Sequence, residues 1–203
     1  WLNNDPTLTN VTFLGNSAEW GGGLANHASN PTLTNVTFSG NTAISHGFYP
    51  PSGGGMFNTD SSSPSLMNVT FDNNSADYGG GMFVQTGSSP NLVNVTFAGN
   101  VAAEAGGGMI IRDDLSNPIL TNVTFSNNSA SLGGGGIDNA GNLIIRNSIL
   151  WSNTGGEIVN NGLGTPNVSF SIVQGGYAGT GNLDADPLLG TLQDNGGYTQ
   201  TMA

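Results

Sequence analysis

The sequence predicts an all-β solenoid, a parallel β-helix of about seven coils, one for each position equivalent to a recurring Phe. Three observations carry that prediction. A Phe-centred motif repeats with a period in the twenties, at Phe13, Phe38, Phe71, Phe97 and Phe125, and continues at Leu150 and Val173. The register around each Phe is tighter than the period: Asn stands three residues before, Asn three after and Ala five after. Glycine runs followed by one aliphatic residue (Leu24, Met56, Met82, Met109 or Ile137) close each unit, and no stretch has helical periodicity.

The elements of one coil follow from Ser29–Ala43, SNPTLTNVTFSGNTA. Val36 and Phe38 share one face of a strand, whereas Leu33 lies at an odd offset from Phe38 and would face away in a straight strand. All three point inward only if the chain bends between Leu33 and Val36. Asn35 is the residue there that best tolerates a left-handed bend. The spacing therefore predicts a strand over 31–34, a bend at Asn35, a second strand over 36–38, a corner over 39–41 and a third strand after the glycines, as at 55–58. Pro6, Pro31, Pro64, Pro90 and Pro118 open strands where no central ladder bond is lost. The glycine runs mark corners. Stacked coils should align equivalent side chains, giving one Asn ladder at Asn10, Asn35, Asn68, Asn94, Asn122 and Asn147, and another at Asn16, Asn41, Asn74, Asn100, Asn128 and Asn153.

Five Asn-Val-Thr sequons fall on the bend residues Asn10, Asn35, Asn68, Asn94 and Asn122. Amides laddered to their neighbours are poor sugar acceptors, so these sequons read as by-products of a bend Asn, a core Val and a surface Thr. If the chain carries sugar, the corner sequons at Asn73 and Asn127 are the better acceptors.

The 203 residues suit a single domain, 1–203, with repeat coils over 1–176 and a C-terminal capping or extension segment over 177–203. The formal net charge of −11 rests on 13 acidic residues against Arg112 and Arg146. That balance excludes a phosphate-neutralising nucleic-acid surface and an anionic membrane surface. No apolar run is long enough for a membrane-spanning helix. The absence of Cys excludes disulfides and thiolate chemistry, and it fits an extracellular bacterial protein. The chain starts at Trp1, almost inside a coil, which suggests a processed or excised piece.

The stretch LTNVTFSGNTA…GGGM resembles the right-handed parallel β-helix repeats of bacterial surface proteins, including polymorphic outer-membrane protein repeats with their GGA(I/L) and FxxN motifs. NSILWSN (Asn147–Asn153) and SIVQGG (Ser171–Gly176) are similar to the last coils of that class. DADPLLGTLQDNGGYTQTMA (Asp184–Ala203) is similar to the segment that precedes a variable cell-surface anchor. The resemblance implies a right-handed parallel β-helix at the cell surface.

Polysaccharide lyases and pectin hydrolases also use β-helices, which makes Asp60, Asp113, Asp114 and His46 a catalytic set to test. Their order along the chain is wrong for a polygalacturonase. Asp60 and Asp113 lie two coils apart, ~9.5 Å by strand spacing, too far for a retaining pair and at the edge of an inverting one. These residues read as loop solvation. His27 and His46 read as solvated loop residues. Asp184, Asp186 and Asp194 read as turn formers, with calcium the alternative.

Two surface features stand out. The insertion Ile44–Ser52, ISHGFYPPS, brings Phe48 and Tyr49 to a corner whose counterparts in neighbouring coils are Trp20 and Tyr78. By parity Phe57, Phe83 and Ile110 point outward and should form an exposed apolar stripe. These seven residues are the candidate ligand or partner surface. An outward Thr column, Thr12, Thr37, Thr70, Thr96 and Thr124, needs no more than strand propensity to explain it.

The reading is a non-enzymatic extracellular structural or adhesive scaffold at the cell surface, without cofactor, metal or catalytic residues. It could self-associate end to end or side by side into fibres, and could bind a glycan or host-surface partner. The alternative is a carbohydrate-binding or carbohydrate-active β-helix.

Overall fold

A computed structural model describes residues 5–45, 47 and 49–202. The chain winds as an all-parallel solenoid with three sheets, of ten, six and five strands.

The largest sheet carries the Asn bend. Its four central strands are Thr32–Ser39, Ser65–Asp72, Asn91–Ala98 and Ile119–Ser126. Each runs through its Asn, which takes a left-handed φ between 54° and 57° at Asn35, Asn68, Asn94 and Asn122. In the first coil the same path splits at Asn10 into Thr7–Thr9 and Thr12–Leu14. The last coils split likewise, at Asn147 and at Phe170. Leu33, Val36 and Phe38 are all buried, as the bend requires. Register pairs Phe13 with Phe38, then Phe71, Phe97, Phe125, Leu150 and Val173, which makes seven rungs. The glycine-led strands make six rungs, from Leu24–His27 to Ile158–Asn160.

The corner expected after each Phe holds more structure than predicted. A short sheet forms there from Ser17–Ala18, Thr42–Ala43, Ser75–Tyr78, Val101–Ala105 and Ser129–Ala130. The column Ala43, Ala76, Ala102 and Ala130 is buried and keeps these segments in register.

Columns of like residues fill the core. The Phe13–Phe38–Phe71–Phe97–Phe125 rings stack with centroids 4.5–4.8 Å apart and planes within 4°. Glycine is obligatory beside them, because a Cβ at Gly108 would stand 2.6 Å from the Phe125 ring.

The buried Asn ladder uses every amide valence. Asn100 Nδ2 donates to Asn128 Oδ1 at 2.8 Å and to the Phe71 carbonyl at 2.9 Å. Its Oδ1 accepts from Asn74 N and Nδ2, at 3.0 and 2.9 Å. The same pattern runs from Asn41 to Asn153, and Asn16 donates into its first member. The bend ladder, Asn10 to Asn122, links amides at 3.0–3.2 Å. Asn147 shares the left-handed bend, and its backbone N–H donates to the Ser169 carbonyl.

Glu157 closes the buried ladder at its C-terminal end. Its carboxylate accepts from Asn153 N at 3.0 Å and from Asn153 Nδ2. Beyond it, residues 180–183 lay a partial rung over the bent sheet: Phe170 N donates to the Thr180 carbonyl, and Val173 N to the Leu183 carbonyl. The segment then returns along the solenoid, past Trp151 and Ser126 at Leu188, to Thr70. There Thr70 Oγ1 donates to the Gln200 carbonyl at 3.0 Å. The Thr column is therefore not the open face that strand parity suggests. Thr70 is 1% exposed under that contact, and Thr96 is also buried.

Replacing Asn100 with Ala strands its ladder neighbours inside the core. Urea unfolding should show a loss of about 3 kcal/mol or more, whereas Asn94→Gly, which keeps the left-handed bend at the surface, should cost within about 1 kcal/mol. Burial raises the Glu157 pKa above its ordinary value of 4.5, against its bonds to Asn153. The native chain then holds this proton more tightly than the unfolded chain does. The stabilisation is complete below 4.5 and is lost as pH rises through the native value. Urea unfolding from pH 4.5 upward should accordingly show wild type losing stability relative to Glu157→Gln, and a flat difference would contradict the assignment.

Candidate functional site

Three columns of the solenoid converge on one cleft of about 860 Å³. The floor comes from the residue after each aliphatic anchor, Ala25, Phe57 and Phe83, which register aligns rung by rung. One wall comes from the corner column, where Trp20, Ser52 and Tyr78 pair in parallel. The other comes from the third residue after each anchor: His27, Thr59, Gln85 and Arg112. The insertion adds Tyr49 and Pro50 at the mouth.

Aromatic packing sets the geometry. Trp20 stacks on Phe57 with centroids 5.9 Å apart, and Phe57 stacks on Phe83 at 5.1 Å. Tyr49 tilts by 59° against Trp20 at 5.7 Å. The Arg112 guanidinium lies 4.7 Å from the centre of the Tyr78 ring, within cation–π range. Trp20 and Tyr49 remain 42% and 63% exposed.

The two surface features read separately from the sequence are thus one site. Trp20, Tyr49, Tyr78, Phe57 and Phe83 all line it. Phe48 and His46 lie outside the described residues. The expected exposed stripe, however, does not exist. Phe57 and Phe83 do point away from the main core, but they are only 7% and 5% exposed, and Ile110 is fully buried. They form a second apolar cluster with Ala105, against which Tyr78 packs. Coverage by corner residues accounts for the difference.

His27 is not merely solvated. Its Nε2 lies 2.7 Å from Asp60 Oδ2, across adjacent coils. Asp60 sits just past its strand with a left-handed φ of 54°. Sequence reasoning missed this pair and the polar wall. The available signal was the column three residues after Leu24, Met56, Met82 and Met109, which reads His, Thr, Gln, Arg.

Asp113 belongs to a turn. Its carboxylate accepts from Leu115 N and Ser116 Oγ, both at 3.0 Å, and from Thr86 N in the preceding coil. Asp138, which follows Ile110 in the floor column, accepts from Asn161 at 2.7 Å. Burial raises its pKa, which that bond and the Arg112 charge partly offset. Asp184, Asp186 and Asp194 each accept from a nearby backbone N–H: Gly175, Leu188 and Gly196. Among the described residues no three His, Asp or Glu side chains gather as metal ligands. The corner residues Asn73 and Asn127 are exposed.

Residues 2–114, more than half of the chain, match the family described as the right-handed β-helix region. The chain belongs to that family. Within this β-helix, residues 122–140 also match the Chlamydia polymorphic membrane protein repeat. No curated protein and no solved structure matches the chain.

Phe83→Ala separates the covered floor from the exposed stripe. A buried Phe should cost about 3–5 kcal/mol on truncation, read by urea unfolding, whereas an exposed one would change stability by about 0.5 kcal/mol or less.

Proposed function

We propose that this β-helix is a non-enzymatic extracellular scaffold at a cell surface, and that the aromatic cleft is its adhesive element. The observation that carries the proposal is the convergence of exposed Trp20 and Tyr49 on a floor held by stacked rungs. Binding sites combine such apolar surface with a few placed polar groups. The β-helix holds both walls rigidly, so little ordering cost accompanies binding.

The similarity of residues 122–140 to a polymorphic membrane protein repeat supports the surface location. No helix of the described residues is long and apolar enough to cross a membrane. The carbohydrate-active alternative has one observation in its favour, the His27–Asp60 pair at the cleft. Against it, Asp113 is held by its turn. End-to-end stacking on the last bent-sheet rung would require residues 180–183 to leave it.

Beads coated with the full chain should adhere to a panel of cell monolayers. Tyr49→Ala and Trp20→Ala should each reduce retention about tenfold or more. The chain should release no reducing or unsaturated ends from a polysaccharide panel. Cleavage activity lost in Asp60→Asn would overturn the non-enzymatic reading.

A further inference from the structure

We propose that the cleft binds a neutral glycan chain laid along the solenoid axis. This rests on the reading of the cleft as the binding element and names the chemistry of its ligand.

The columns impose the direction. Floor and walls each supply one residue per rung, so the cleft runs parallel to the axis and its chemistry repeats at the rung spacing. From His27 to Arg112 it spans four rungs, roughly 14–15 Å at strand spacing. A pyranose with its linkage is about as long as one rung is high. It presents an apolar C–H face and an edge of hydroxyl groups. The aromatic side of the cleft suits the first, and the column His27, Thr59, Gln85, Arg112 suits the second. Within it Gln85 Nε2 donates to Thr59 Oγ1 at 3.2 Å and Thr59 Oγ1 to Thr86 Oγ1 at 3.3 Å, which orders the wall. The second Gln85 N–H and the Arg112 guanidinium can donate to a ligand.

Charge selects a neutral chain. Glu19 and Asp60 line the same cleft, and the Arg112 charge acts on the buried Asp138. With a net charge of −11 on the whole chain, a uronate polymer would meet a repulsive field. An extended peptide is disfavoured for another reason. The floor is a sheet face whose backbone groups bond along the stack, so no strand edge is available for a peptide to pair with. An apolar small molecule would cover the second Gln85 amide N–H and the Arg112 guanidinium without satisfying them.

Calorimetric titration of the full chain tests this. The probes are neutral gluco-, manno- and xylo-oligosaccharides of increasing length, and uronate oligomers of matching length, at low and high salt. Affinity for one neutral series should rise with length until the oligomer spans the four rungs, and should be insensitive to salt. Trp20→Ala and Tyr49→Ala should each weaken binding about tenfold, and Gln85→Ala about threefold. Tyr198→Ala, in the returning C-terminal segment, should leave binding unchanged. Tyr49 stands on an exposed loop, so its variant keeps the test valid if Trp20→Ala fails to fold. The proposal is overturned if no neutral oligomer binds, if uronates bind more tightly at low salt and release at high salt, or if Tyr49→Ala binds like wild type. Adhesion of coated beads that Tyr49→Ala abolishes, with no glycan bound, would overturn the glycan assignment and leave the adhesive reading standing. Glycan binding without adhesion would do the reverse.

Discussion

Five phenylalanine rings lie one above another, 4.5–4.8 Å apart in nearly parallel planes, because parallel strands fix that separation. Whatever occupies one rung must tolerate the same kind of residue directly above and below it. The Phe column meets this by stacking and excludes a side chain at the adjoining corner, which is why glycine recurs there. The buried Asn column meets it differently. An amide has two N–H donors and two oxygen lone pairs, and in this ladder each is matched by the next rung or by a Phe carbonyl. A buried polar column is acceptable only on that condition.

The two Asn ladders have opposite polarity. In the buried ladder each amide donates toward the C-terminal neighbour, as Asn74 does to Asn100. In the bend ladder it donates toward the N-terminal neighbour, as Asn94 does to Asn68. The C-terminal end of the buried ladder therefore presents donors, which need acceptor oxygens to close them. Glu157 supplies those oxygens. The core narrows over the same coils, as Phe gives way to Leu150 and Val173, and the bend Val gives way to Ser148 and Ser171. Ser171 N in turn donates to Asn182 in the closing rung. The end of the solenoid is thus a change of chemistry in several columns at once.

Regular columns build the rod, and departures from them build the cleft. Trp20 and Tyr78 interrupt a corner column that continues as Ser52, Ala105 and Gly133. The insertion before Ser52 brings Tyr49 across to Trp20. Arg112, one of two cations in the chain, stands where the polar wall ends. Each departure is small, yet the rungs hold them in register, so separate irregularities share one concavity.

Much of this was legible in the sequence. Leu33, Val36 and Phe38 can all face inward only through a left-handed Asn35, and parity with a bend is a local property. The ladder registers follow from the same arithmetic. The direction in which Phe57 and Phe83 point was legible too, but their burial was not. That depends on where Trp20, Tyr78 and an irregular insertion come to rest. Likewise the outward face of Thr70 is a strand property, whereas its cover is a segment 130 residues further along the chain. The His27–Asp60 pair lies between these cases: register brings the two coils together, and the left-handed backbone at Asp60 aims its carboxylate. Periodic sequence determines which way a side chain faces, because that depends on neighbours two or three residues away. Only the tertiary structure decides what covers it, because covering segments are aperiodic and reach their sites across the fold.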